Sequence, residues 1–155
     1  MKLFQKKKNN KGFSLVELIV VVAIMAVLMA VLVPTLIKKV ESSRKQKDLS
    51  ALSEIREAMI LELAYEEYCQ ISGSLSATGT VAVTKLSGSV KDPAGTDKTA
   101  AFLAAVAEDV DDVEMKSAYS TLEVKFSISE QKVVCTVGGY DITVTSEVEA
   151  LNASL

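Results

Sequence analysis

The sequence predicts an α+β protein in which a long N-terminal α-helix, apolar in its first half and amphipathic in its second, packs on a small antiparallel β-meander head. Three observations predict it. From Phe13 to Val33 only Ser14 and Glu17 are polar, a run of ~31 Å as helix and enough to cross a bilayer. Leu52, Ile55, Met59 and Leu63 then recur at steps of three and four among acidic residues, the period of a helix that buries one face. Near the C-terminus the period changes to two, with Leu122, Val124, Phe126 and Ile128 alternating with Glu123, Lys125 and Ser127, as in a half-buried strand.

Composition narrows the chemistry. The 155 residues allow one ordinary domain, or a small head on an extended element. There is no His and no Trp, which removes imidazole-based triads, metal sites and proton shuttles. The formal charge is −3, from 17 basic and 20 acidic residues, but Lys2, Lys6, Lys7, Lys8 and Lys11 sit in an acid-free leader. Without those five, twelve basic residues face twenty acids, a formal −8 that argues against a nucleic-acid-binding body.

The leader, residues 1–12, precedes the apolar run without the short apolar stretch and small-x-small site of a secretory signal. The small residue at the boundary is Gly12, on the charged side, so a cut there would leave the membrane helix on the mature chain. Residues 11 to 17, Lys-Gly-Phe-Ser-Leu-Val-Glu, followed by the apolar run and Pro34, resemble the class III signal of type IV pilins and pseudopilins. The resemblance covers about the first third of the chain. It implies cleavage by prepilin peptidase between Gly12 and Phe13, N-methylation of Phe13, a pilin-like fold, and the N-terminus on the cytoplasmic face, where that peptidase acts.

Glu17 is costly for a plain anchor, since a carboxylate in hydrocarbon costs about 3 kcal/mol. A free amine at Phe13 would lie ~6 Å along the helix from it, and a copy staggered by about a turn could bring its ammonium to this carboxylate. Taken alone Glu17 reads as an interfacial Glu at the membrane edge; the resemblance of the full motif makes it an assembly register instead. Pro34 removes a backbone donor facing Ala30 and is expected to kink or loosen the helix, or to mark the membrane exit. The transmembrane and filament-core helix is assigned to 13–37. Lys38, Lys39, Arg44, Lys45 and Lys47 form a basic collar that could meet lipid head groups, acidic neighbours in a filament, or only solvent.

The amphipathic half of the helix is assigned to 38–71 and the globular head to 72–155. Ile71 to Gly79, rich in Gly, Ser and Thr, reads as a break, and Thr80 to Leu86 as a weak strand. Asp92-Pro93-Ala94-Gly95 reads as a turn. A second helix is expected from Lys98 to about Asp112, with Phe102, Leu103, Val106 and Val110 on one face. The meander then runs through tight turns at Glu130-Gln131 and Gly138-Gly139. Its register aligns Val124 with Val137 and Tyr140, Phe126 with Cys135 and Ile142, and Ile128 with Val133 and Val144. One face of the meander is then wholly apolar.

Cys69, at the end of the long helix, and Cys135, on the inward face of the middle strand, could meet in a disulfide or pack as separate thiols. The acidic run Glu108, Asp109, Asp111, Asp112, Glu114 lacks the spacing and glycine of a calcium loop. No catalytic constellation, metal site or cofactor is assigned.

The expectation is a prepilin, a non-enzymatic structural subunit. By resemblance it would be inserted as a single-pass cytoplasmic-membrane protein, surrounded by lipid until extraction. Prepilin peptidase and an assembly platform with its ATPase would act on it, with minor pilins as further candidate partners. It would then polymerise into a helical homo-oligomeric surface filament serving adhesion, motility or DNA uptake. A pseudopilin of a type II secretion or competence system uses the same signal and is the nearest alternative. A membrane-anchored binding module is the third, and the absence of Trp tells against a sugar-stacking version of it.

Overall fold

The computed structural model describes residues 13–129 and 131–155. The leader with Gly12, and Glu130 of the expected turn, lie outside the described residues. The chain divides into two compact units, with the boundary between residues 39 and 40.

The first unit is helical from Leu15 onward, and all its described residues are exposed. Helix α1 spans Leu15–Glu62, and its helical assignment runs through Pro34. The Thr35 hydroxyl donates to Val31 O at 2.8 Å and Leu32 O at 3.0 Å in the turn that Pro34 weakens.

In the second unit α1 packs on a five-stranded antiparallel sheet. Its strands are β1 (Ser72–Thr78), β3 (Ser87–Lys91), β5 (Glu123–Ser129), β6 (Lys132–Val137) and β7 (Tyr140–Asp141), in the spatial order β3-β1-β5-β6-β7. Two-residue strands β2 (Thr80–Val81) and β4 (Val113–Glu114) pair separately. Helix α2 spans Thr99–Asp109 and α3 spans Thr145–Ala153. The expected helix face is the core: Leu52, Ile55, Met59 and Leu63 are all fully buried. So are Val124, Phe126, Val133, Cys135 and Val137 of the sheet, with Phe102 and Val106 of α2.

The expected pairs Val124–Val137, Phe126–Cys135 and Ile128–Val133 are the observed register of β5 with β6. Val137 also faces Tyr140, and Ile142 N donates to Cys135 O at 3.1 Å. The third meander strand nevertheless stops there. The next ladder acceptor, Val133 O, is taken by Arg56 Nε of α1 at 2.9 Å, and Val144 N turns back to Asp141 O. Asp141 Oδ1 accepts from Thr143 N and Oγ1, and Glu147 accepts from Asp141 N, so the chain leaves the sheet for α3.

Four further expectations are corrected. Helix α1 ends at Glu62 rather than near Ile71, and residues 63–70 form successive tight turns in which Ala64 N bonds Leu61 O and Tyr68 N bonds Tyr65 O. Glu62, Glu66 and Glu67 would crowd the negative end of the helix dipole, and its last turn has no basic residue. Leaving the helix also brings Tyr68 edge-on to Phe102, with ring centroids 5.5 Å apart.

The expected break at 71–79 is instead β1, between β3 and β5. The Thr80–Leu86 strand shrinks to β2, followed by a 3-10 turn at Val83–Lys85. The turn at Asp92–Gly95 is present, with Gly95 N on Asp92 O at 2.9 Å. Helix α2 ends at Asp109 because the next residues extend toward β4, and Asp112 Oδ1 accepts from Val83 N at 3.0 Å.

Candidate functional site

Two groups of residues carry polar chemistry on α1. The first is at its start. Phe13 is 93% exposed and Ser14 immediately precedes the helix. Leu18 N makes the first helical bond to Ser14 O at 3.2 Å, and Glu17 Oε2 accepts from Ser14 N at 2.9 Å. This is the reaching-back half of a capping box, for which Ser14-x-x-Glu17 is the sequence signal. The carboxylate so placed satisfies an otherwise orphaned amide and favours the positive end of the helix dipole. Oε2 accepts from Ser14, and no donor among the described residues is placed on Oε1.

Behind it, large apolar side chains from Leu15 to Val40 are exposed around the helix. Its richest 18-residue window has a mean hydropathy of 3.1 and is long and apolar enough to cross a membrane.

The second group was not anticipated. Asp48 is buried, 5% exposed, on a helix face among lysines. Its Oδ2 accepts from the Ser117 hydroxyl at 2.6 Å, Ser117 N at 3.0 Å and Lys116 N at 3.2 Å. Two turns earlier, Glu41 Oε1 accepts from Ala118 N at 2.7 Å. Between them Lys45 Nζ lies 5.4 Å from the centroid of the Tyr119 ring. The Tyr119 hydroxyl donates to Asn152 Oδ1 of α3 at 2.8 Å. Burial, partly offset by that bond, raises its pKa, and the carboxylates of Asp48 and Glu41 add to the rise. Glu41, Lys45 and Asp48 stand at helical steps of four and three. Their partners lie about 70 residues onward, which no local pattern reveals.

Cys69 and Cys135 are both free thiols. Cys135 is fully buried in β6, and burial, then the nearby Asp141 carboxylate, push its pKa to about 12 against the opposing pull of Arg56. Cys69 stands half-buried in the turns after α1, where its thiol donates to Glu66 O at 3.4 Å. The early end of α1 is what separates their environments.

The acidic run is dispersed. Asp112 caps Val83, Glu114 reaches Lys116 at 3.8 Å, and Glu108 and Asp109 share a shallow groove of about 530 Å³ with Glu62, Tyr65, Glu67 and Tyr68. Burial, then repulsion from Asp109 and Glu108, raises the Glu62 pKa. Among the described residues no group of three or more acidic or thiol side chains is placed to hold a metal ion.

Residues 7–33 match the family described as the prokaryotic N-terminal methylation motif, the class III signal of type IV pilins and pseudopilins. No curated protein and no solved structure matches the chain. The motif marks pilin-like structural subunits, and together with the apolar helix it fits membrane anchoring.

Proposed function

We propose that the chain is the precursor of a type IV pilus subunit whose activity is to polymerise. The observation that carries this reading is the methylation motif at residues 7–33, with Glu17 at the start of a helix that is apolar on all sides. Prepilin peptidase would cut between Gly12 and Phe13 and methylate the new amine, and a platform with its ATPase would draw the subunit from the lipid into a helical filament. The apolar surface of 13–37 then exchanges lipid for neighbouring copies.

The start of α1 supports a specific register mechanism. A neighbour's Phe13 ammonium can approach Glu17 Oε1 while Oε2 keeps its bond to Ser14 N, so the helix cap and the inter-subunit pair need not compete. In a low-dielectric filament core the pair is strongly coupled, and a misplaced copy would leave two charges unmatched. Pro34 gives the helix a point where it can yield during packing.

Mass spectrometry of the N-terminus tests the reading, comparing protein in sheared surface filaments with protein kept in cells. The expected sheared species begins at N-methylated Phe13 and lacks the leader. Processed protein that never enters sheared filaments would instead indicate a pseudopilin, and an intact leader a membrane-anchored module. Glu17→Ala is expected to be processed normally and to lower filament incorporation at least about tenfold, the loss of one coupled pair.

A further inference from the structure

The head grips α1 through side chains that can act only while that part of α1 is helical. Glu41, Lys45 and Asp48 span ~10 Å as helix, on one face. All three engage the short segment Lys116–Tyr119. Stretched out, the same residues would spread over up to ~23 Å, too far to keep their partners together. Asp48 would moreover have to give up its Ser117 and Lys116 donors.

Upstream the situation is the reverse. From Phe13 to Val40 every described residue is exposed. Pro34 offers Ala30 O no amide, and the Thr35 hydroxyl competes for Val31 O and Leu32 O in the same turn. The turn that Pro34 weakens therefore lies a short distance before the first turns of α1 that the head holds by hydrogen bonds.

We infer that the Glu41–Lys45–Asp48 clasp is a stop. Helix opening that starts near Pro34 halts at Glu41, so α1 enters the head as helix from that residue whatever the state of the turns before it. This is a property of the single chain and does not depend on the pilus reading. Asp48 is the essential member, and Glu41 sets the position of the stop.

Hydrogen–deuterium exchange resolved at single amides tests this on the full chain in detergent micelles, reading Lys38 to Leu52, beyond the apolar run. The wild type is expected to show a step in protection between Lys39 and Lys45. In Asp48→Ala the step should move toward Leu49–Leu52, with amides 41–48 exchanging about tenfold faster while β5 and β6 keep their protection. Glu41→Gln retains an acceptor for Ala118 N and should leave the step in place.

If Asp48→Ala fails to fold, Ser117→Ala deletes one donor and should give a smaller shift in the same direction, about threefold. The inference is overturned by a wild type without a step. It is equally overturned if 41–48 stay protected in a folded Asp48→Ala, or in Ser117→Ala where that variant is the one that folds.

Discussion

The two cysteines show how far burial alone can divide chemically identical residues. Cys135 has no exposed surface and a thiol pushed up to about 12, so it stays protonated and inaccessible in the folded head. Cys69 stands half-buried outside the core. Thiol labelling of the native chain from pH 7 to 9 should therefore modify Cys69 alone, with both modified in denaturant; a bridge between them would leave neither to label before reduction. Legibility at this scale divides along the same line of local against distant partners. The methylation motif of residues 7–33 could be read from fixed spacing because its residues stand within one short stretch. Asp48 and Glu41 could not, since among Lys38, Lys39, Lys45 and Lys47 they read as an ordinary solvated helix surface. Their partners, backbone amides and the Ser117 hydroxyl, lie in a distant segment of the chain.

Elements were legible where their own side chains carry the packing. The helix face from Leu52 to Leu63 and the pairing of β5 with β6 follow from periods of three to four and of two. Strand β1 is a different case: Leu75 is its one fully buried side chain, and its Ser and Gly residues read as a loop. What makes it a strand is backbone pairing on both edges, with Gly73 and Gly88 letting β1 and β3 close up. A Cβ at Gly73 would stand 2.0 Å from Ser89 O, and one at Gly88 2.1 Å from Ser74 O. Both φ angles are positive, 155° and 129°. Gly73→Ala and Gly88→Ala should each destabilise the head by more than about 3 kcal/mol in a thermal melt, and Ser76→Ala by less than about 0.5 kcal/mol. Helix α3 left little trace because Leu151 is its one buried residue. The shortened β7 was hidden because Arg56, which occupies its next hydrogen-bonding position, belongs to another element.

For the whole molecule, charge and strand order each have a consequence. Burial and then Asp109 and Glu108 raise the Glu62 pKa, so the folded state takes up that proton more readily than the unfolded chain. Acidification from neutral pH toward the range just above 4.5 should therefore raise the melting temperature, and Glu62→Gln should flatten the rise. Asp97 acts in the opposite sense. Hydrogen bonds from the Thr99 hydroxyl and amide lower its pKa, so its contribution is present above 3.8 and fades as the pH falls through the folded value. The combined contribution of these two groups is greatest between the two ranges. The order β3-β1-β5-β6-β7 concerns time rather than acidity. Strand β1 can pair at once with β3, but its other edge must wait for β5, which begins at Glu123, to be synthesised. Such distant pairing slows folding and leaves a strand edge open meanwhile. A waiting strand made of Ser-Gly-Ser-Leu-Ser-Ala-Thr offers little for another chain to stick to. The composition that hid β1 from sequence reading would thus protect the nascent head from aggregation until its last strands emerge.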